Sequence, residues 1–299
     1  MTKILLLLPL LLFVHLPLQA QELEPRALTN VPVGFNFAVV GYGYSQGNIL
    51  LDPAIPIEDL DSYLHAIFAA YVRAINFFGL SGKLDVIVPA AFGDWTGFLE
   101  GEGASRKIDG LGDPRVRLSV NFVGAPALRL SEYQKYQQKT IAGAAMQIFV
   151  PLGKHDPSKL INLGSNRWTI RSQIGIARTF EKWIVESYVD LWIFTNNMQF
   201  LEDLKLSQNP LITAKVHLVR TMRKGRWIAL DVGYGFGGRT SVEDIPRDTY
   251  ISTFRFGLTL AFPVSPKHTL KVVGATGVRL QKGPDFDALA VTYQYRWGS

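Results

Sequence analysis

The stretch ALAVTYQYRW, which runs from Ala288 to Trp297, places a large apolar or aromatic residue at every second position. Those residues are Leu289, Val291, Tyr293, Tyr295 and Trp297. The residues between them are small or polar and include the charged Arg296. Because a β-strand turns successive side chains to opposite faces, one face of this strand is apolar and the other carries a full charge. Such a strand is typical of a barrel whose apolar face meets lipid and whose polar face lines a lumen.

The same alternation recurs along the chain and predicts an all-β fold, a transmembrane antiparallel β-barrel of about 12 strands of the outer-membrane type. The predicted strands span residues 34–45, 63–75, 80–91, 114–122, 140–151, 167–179, 182–194, 209–222, 226–237, 250–262, 268–279 and 285–297. Short connections alternate with long polar ones, as short periplasmic turns alternate with longer external loops in such barrels. Two connections break this rule, because 123–139 is long and 280–284 is short.

Two further strands show why a soluble β-sandwich is the weaker interpretation. In 114–122 the apolar face is formed by Val116, Leu118, Val120 and Phe122. In 250–262 it is formed by Phe254, Phe256, Leu258, Leu260 and Phe262. A sandwich would also alternate, but its solvent face would rarely be as rich in glycine and alanine as the second faces of 226–237 (Ala229, Asp231, Gly233, Gly235) and 250–262 (Arg255, Gly257, Thr259, Ala261).

The N-terminus predicts the compartment. Lys3 is followed by an apolar run from Ile4 to Val14, and Leu18-Gln19-Ala20 offers a cleavage-like site. The run is too short to span a membrane, so residues 1–20 are predicted to be a signal peptide and 21–299 the outer-membrane barrel domain. The chain contains no cysteine, which excludes disulfides and a cysteine-linked lipid anchor. We therefore expect secretion to the bacterial outer membrane.

The distribution of charge along the chain indicates which classes of binding partner to expect. The net charge of +6 is spread along the chain, without a basic run interleaved with stacking aromatic residues, so no nucleic-acid partner is expected. A barrel in the outer membrane would contact outer-membrane lipids, a small-molecule solute and, during biogenesis, the barrel-assembly machinery.

The residues that could carry catalysis form no recognisable site. The mature chain has four histidines, His65, His155, His217 and His268, without metal-ligand spacing, so no metal, cofactor or catalytic residue is predicted. A lipid hydrolase would need a serine and a histidine on one face. Ser172 and Ser187 fall on the predicted apolar face, whereas His217 falls on the lumen face. The protein is therefore predicted not to be an enzyme.

Charged residues collect on the predicted lumen face, because a charge exposed to lipid at mid-membrane depth costs about 2–4 kcal/mol. The pore-lining candidates are Arg73, Lys83, Asp85, Arg115, Arg117, Arg171, Glu186, Asp190, Lys215, Asp231, Arg255, Lys271 and Arg296. Two interpretations stay open: an ion-pair network that rigidifies a narrow barrel, or a selective pore whose basic excess favours anions.

Several loop motifs carry a family resemblance. They are Pro25-Arg26-Ala27 with Asn30 and Val31–Gly34, Gly110–Leu118 (GLGDPRVRL), Gly124–Ala127 (GAPA), Val150–Gly153 (VPLG) and Asn162–Trp168 (NLGSNRW). Over essentially the whole mature chain, these segments resemble the bacterial outer-membrane transporter family associated with the meta-pathway of phenol degradation. The resemblance implies a barrel that passes small, often aromatic, compounds. Asn162, Asn166 and Arg167 are candidates for a loop that narrows the mouth.

These observations predict a porin-like outer-membrane channel for the passive passage of small solutes, aromatic or anionic in character. Two alternatives stay open. One is an outer-membrane lipid-modifying enzyme, and the other is a closed structural or adhesion barrel.

Overall fold

The computed structural model describes residues 23–49, 54, 57–99, 101–280 and 284–298, so the predicted signal peptide lies outside the described part of the chain. Its strands are β1 Asn36–Asn48, β2 Ile57–Phe77, β3 Leu80–Leu99, β4 Glu102–Leu111, β5 Arg115–Pro126, β6 Thr140–Phe149, β7 Thr169–Phe180, β8 Trp183–Phe194, β9 Asn197–Phe200, β10 Leu204–Gln208, β11 Leu211–Thr221, β12 Trp227–Gly237, β13 Thr240–Val242, β14 Ile245–Pro246, β15 Ile251–Pro263, β16 His268–Arg279 and β17 Asp285–Trp297. One short helix, α1, spans Leu130–Tyr133. Within the described residues, no helix combines the length and apolar character of a membrane span.

Twelve of these strands form a closed antiparallel barrel, which confirms the predicted fold class. The barrel strands are β1, β2, β3, β5, β6, β7, β8, β11, β12, β15, β16 and β17. Each pairs with its neighbour along the chain, and β1 closes the barrel on β17 with Asn36 opposite Trp297 and Asn48 opposite Asp285. Closure leaves no free strand edge, as lipid requires. Every predicted strand is present, and β2 and β3 extend well beyond their predicted outer ends.

All but one of the short connections between barrel strands lie at one end of the barrel, which is the periplasmic end in barrels of this type; the exception joins β16 to β17 at the outer end. Between β2 and β3 the chain turns through Phe78 and Gly79, whose φ angles are 51° and 87°. Two consecutive left-handed residues match the twist of a tight hairpin, which favours glycine. The connections from β7 to β8, from β11 to β12 and from β15 to β16 are also short.

The one long periplasmic connection, between β5 and β6, has a specific role. It carries α1, and the hydroxyl of Tyr133 donates a hydrogen bond to the carbonyl oxygen of Asn30 at 2.9 Å. Burial raises the pKa of Tyr133, so its hydroxyl keeps the proton that it donates. The backbone amide of Val33 donates to the carbonyl oxygen of Leu128 at 2.9 Å. The extra length therefore holds the chain that precedes β1.

The outer end carries structure that the sequence did not predict. β3 continues past the barrel wall and pairs with β4. β9, β10, β13 and β14 form a separate four-stranded sheet from two long connections, joined where Leu206 pairs with Val242. These strands span only two to five residues each, too short for an alternation pattern to stand out from a polar loop.

The predicted faces are confirmed where the alternation is strongest. Leu230 and Leu258 point outward and are 58% and 42% exposed, whereas their chain neighbours Ala229 and Thr259 are 1% and 0% exposed. The outward residues form the apolar belt that meets lipid, and the inward residues fill the lumen.

Candidate functional site

The lumen is occupied by the chain itself. Residues 23–35, which we call the N-terminal segment, run inside the barrel before β1 begins at Asn36. Leu23 packs against β15, where a Cβ added to Gly257 would lie 2.6 Å from its Cδ1. Leu28 packs against β6, where a Cβ added to Gly143 would lie 2.7 Å from its Cδ2. Glycines on the inner wall therefore make the room that the segment needs.

The N-terminal segment is bound to the wall through its backbone. The carbonyl oxygens of Ala27 and Leu28 accept hydrogen bonds from the Lys83 ammonium and from Nδ2 of Asn121, the latter at 3.0 Å. The backbone amide of Arg26 donates to Oε2 of Glu186. These contacts satisfy the polar groups of a segment that is not paired as a strand.

One charged contact ties the segment to two neighbouring strands. Oε2 of Glu24 accepts a hydrogen bond from Nη1 of Arg117 at 2.6 Å, while Nε of Arg117 donates to Oδ2 of Asp85. The side chains of Arg117 and Glu24 are 19% and 27% exposed, so water screens the contact weakly. We call this three-residue contact the latch; one of its members, Glu24, belongs to the N-terminal segment and the other two belong to the wall.

A second cluster is centred on the buried carboxylate of Asp190. It accepts hydrogen bonds from Nε of Arg171 at 2.9 Å and from Nζ of Lys215 at 2.7 Å. Gln173 and Thr213 donate to the same carboxylate, each at 2.7 Å. A buried charge is tolerated only when such partners replace water, and here they do.

A third cluster lies on the neighbouring strands. Nδ1 of His217 is 2.6 Å from Oδ1 of Asp231, and the hydroxyl of Thr259 donates to Oδ2 of the same carboxylate at 2.8 Å. The hydroxyl of Tyr188 donates to Oε2 of Glu186 at 3.1 Å. Carboxylate and donor thus alternate around the mid-barrel wall, which makes this zone an ion-pair and hydrogen-bond network.

The remaining predicted pore-lining residues are scattered. Arg255 is buried and stacks over the ring of Phe286 at 4.0 Å, and Arg115 lies 5.7 Å from the ring centre of Phe149. Lys271 occupies an inward position of β16. Arg296 is exposed at the periplasmic rim, where its Nε donates to the carbonyl oxygen of Pro266 at 2.6 Å. That the inward residues line a conducting pore stays a prediction.

The inward prediction for Arg73 is wrong. In β2 the even-numbered positions face inward, because Leu64, Ala66 and Ala74 are buried while Arg73 is exposed. The side chain lies near the periplasmic end on the outer surface, on the same face of β2 as Tyr71 two residues earlier. A long basic side chain at that depth can reach the polar headgroup region, so its charge does not require an inward position.

The outer part of the lumen differs in character from the middle, because it is apolar. Its buried cluster, which we call the outer apolar cluster, joins barrel-wall residues such as Leu64, Trp95 and Ala288 to Leu206 and Val242 of the four-stranded sheet. Two of the loop residues in the same cluster are Ile161 and Leu163. The outer sheet and the connection between β6 and β7 therefore cover an apolar interior rather than an aqueous vestibule.

The three predicted mouth-loop residues have structural contacts at this outer end. Nδ2 of Asn162 donates to the carbonyl oxygens of Asp156 and Lys159 within its own loop. Nδ2 of Asn166 donates to Oδ1 of Asn197 at 2.9 Å, and Nη2 of Arg167 donates to Oε1 of Gln208 at 2.6 Å. Asn166 and Arg167 thus tie the loop to β9 and β10, and a role in narrowing the mouth stays a prediction.

The N-terminal segment is the feature that sequence reasoning missed. Leu23 and Leu28 are apolar residues in a short stretch that precedes the first strand and contains no strand pattern. Both side chains are buried in the lumen. In the sequence, apolar residues beside charged residues outside any predicted strand are the local signal that could have indicated this position.

A closed twelve-stranded antiparallel barrel with an apolar outer belt defines a transmembrane barrel of the outer-membrane type. The family model described as "Putative MetA-pathway of phenol degradation" matches residues 58–291, and the chain belongs to this family. No curated protein sequence matches the chain.

Two solved structures share the fold. The crystal structure of the COG4313 outer membrane channel from Pseudomonas putida F1 is similar with a TM-score of 0.76 and 19% sequence identity, over 92% of this chain and 100% of that chain. The transport unit of the autotransporter AIDA-I from Escherichia coli is similar with a TM-score of 0.53 and 9% identity, over 90% of this chain and 92% of that chain. Both similarities support the barrel fold.

Proposed function

We propose that the protein is an outer-membrane channel for small aromatic or other apolar solutes, opened by release of the N-terminal segment from the lumen. The observation that carries the proposal is how residues 23–35 are held. Residues 23–33 occupy the lumen through side-chain and single backbone hydrogen bonds, whereas Gly34 and Phe35 already pair with Ala74 of β2. The wall is complete without residues 23–33, because β1 begins at Asn36. A plug that contributes no strand to the wall can leave while the barrel stays closed.

The solute class follows from the outer part of the lumen. An apolar interior under the outer sheet favours solutes that lose little hydration on entry, whereas a hydrophilic solute would give up its hydrogen bonds to water there. The family description names phenol degradation, and the similar Pseudomonas putida structure is that of an outer membrane channel, which supports the same class of function here.

The charged middle of the lumen supports a preference for anionic over cationic solutes. The inward basic residues are Lys83, Arg115, Arg117, Arg171, Lys215, Arg255 and Lys271, and the inward acids are Asp85, Glu186, Asp190 and Asp231. When the segment leaves, Arg117 loses Glu24 and Lys83 loses the carbonyl of Ala27, while Glu186 loses the amide of Arg26. Seven inward basic residues then face four inward acids. Uncompensated positive charge in a narrow, low-dielectric passage lowers the energy of an anion relative to a cation.

A lipid-modifying enzyme is the less supported alternative. Ser172 and Ser187 lie on the outward face, while His217 is buried in the lumen with Nδ1 against Asp231. A hydrolase needs its nucleophile and base in contact, and the barrel wall separates these. The outward belt instead contacts outer-membrane lipids. The barrel-assembly machinery would insert the barrel into the membrane after the predicted signal peptide is removed.

The test is planar-bilayer recording of the purified protein and of a variant lacking residues 23–30. We expect the intact protein to stay closed with brief openings, and the deletion variant to conduct steadily with an anion-directed reversal potential in a salt gradient. Benzoate should leave liposomes that contain the deletion variant faster than benzylammonium does. A variant that folds and stays closed would contradict the proposal, as would cation selectivity.

A further inference from the structure

A half-enclosed pocket of about 190 Å³ lies at the outer end, between the β3–β4 hairpin and the connection that leads from β6 to β7. Its floor is apolar and consists of Leu60, Trp95 and Ile161, which are 6%, 1% and 5% exposed. Nε1 of Trp95 donates to the carbonyl oxygen of Ile49 at 3.0 Å, so the indole is fixed in place. The floor is thus a rigid apolar surface.

The walls of the pocket leave room for one flat ring. Gly97 of β3 and Ala104 of β4 face each other across the hairpin, and both line the pocket with the smallest side chains available. An apolar cavity of about 150 Å³ in another protein stays dry and holds benzene. A pocket somewhat larger than that fits a single aromatic ring with one small substituent.

One polar group in this pocket lacks a partner. Arg106 lines the pocket, and its Nε is buried without a hydrogen bond to any residue that the structure describes. Lys159 adds a second positive charge to the lining. Asp156 attracts the charge of Arg106, but its Oδ1 accepts hydrogen bonds from the amide and hydroxyl of Ser158 at 3.0 and 2.8 Å, and neither of its oxygens satisfies Nε of Arg106. A buried unsatisfied donor is costly, and an anionic acceptor would satisfy it.

We propose that this pocket is an outer capture site for monocyclic aromatic carboxylates. The ring lies on Trp95, Leu60 and Ile161, and the carboxylate accepts hydrogen bonds from Arg106. The inference rests on the proposed channel function and supplies its first step, because the floor residues belong to the outer apolar cluster at the outer end of the lumen. A bound ring is therefore one layer of side chains away from the lumen.

The test is a ligand-observed NMR titration of the full-length protein in lipid nanodiscs, with benzoate and its uncharged analogue benzyl alcohol as probes. Arg106→Gln should raise the Kd of benzoate about tenfold, because a charge-assisted hydrogen bond is lost. It should change the Kd of benzyl alcohol by less than about twofold. Ala104→Phe fills the pocket and should weaken both probes by about tenfold or more.

Gly103→Phe is the matched control. It places the same ring on the neighbouring position of β4, where an added Cβ meets no atom within 4 Å. It should leave the Kd of both probes unchanged. Benzoate flux into liposomes, measured on the same proteins, separates the two proposals. A wild type that passes benzoate but binds it without saturation, or binding that Ala104→Phe leaves intact, overturns the capture site alone. Saturable binding that both pocket variants weaken supports it, whether or not flux is seen.

Discussion

Glu24→Gln should loosen the N-terminal segment without damaging the barrel wall. The substitution keeps the shape of the side chain and removes the charge that faces Arg117 at 2.6 Å. The glutamine can still accept a hydrogen bond from the charged Arg117, so only the attraction between two opposite charges is lost. Partial exposure screens that attraction, and the change should cost about 1–2 kcal/mol of docking free energy. Arg117 keeps Asp85, so the wall loses no internal partner. The fraction of molecules in which the N-terminal segment has left the lumen, which we call the released fraction, should rise about 5- to 30-fold.

The absence of native cysteine makes the released fraction measurable. A cysteine introduced at Leu28, which is 3% exposed, should react with a maleimide only when the segment leaves the lumen. Its labelling rate should rise about 5- to 30-fold in the Glu24→Gln background, and open probability in bilayers should rise by the same factor. Glu181→Gln, the same change at an exposed turn, is the control and should alter neither.

Two results would refute this reasoning in different places. A labelling rate within about twofold of the parent would show that the latch does not hold the segment. A faster labelling rate with unchanged open probability would show that the segment moves but does not gate the lumen.

Three further outcomes are expected. Leu258→Arg places a charge in the lipid-facing belt and should cost about 2–4 kcal/mol, so the heat-modifiable folded band on gels should be lost, whereas Leu258→Phe should assemble normally. Asp190→Asn leaves two buried cations without their carboxylate and should lower the denaturant midpoint by the equivalent of about 3–5 kcal/mol; exposed Asp203→Asn should not. Gly124→Ala should impair folding, because a Cβ there would lie 1.8 Å from the carbonyl oxygen of Thr140, and normal folding would contradict this close approach of the two backbones.

The packed lumen reverses what strand alternation alone would predict for an arginine at position 259. Thr259 is on the inward face, and in an open barrel an arginine there would meet water. In the structure its hydroxyl donates to Asp231 and its side chain is fully buried. We therefore expect Thr259→Arg to be poorly tolerated, since the inward face is packed rather than solvated.

The fold class, the strand count and most faces were determined by the sequence alone. A strand that separates lipid from a lumen must alternate at period two, and the pattern from Leu289 to Trp297 repeats wherever that constraint acts. The register was ambiguous only where both faces are apolar or small, as in β2, and there Arg73 was assigned to the wrong side.

Only the tertiary structure decided what fills the barrel. The N-terminal segment has no period, because its partners are single residues on several strands: Lys83, Arg117, Asn121 and Glu186. Such contacts depend on the barrel closing around the segment, and each joins positions more than fifty residues apart in the chain. The local sequence pattern reflects the environment of each strand face, so it predicted the barrel wall. The position of the N-terminal segment and the outer pocket depend on contacts between distant strands and loops, which no local pattern contains.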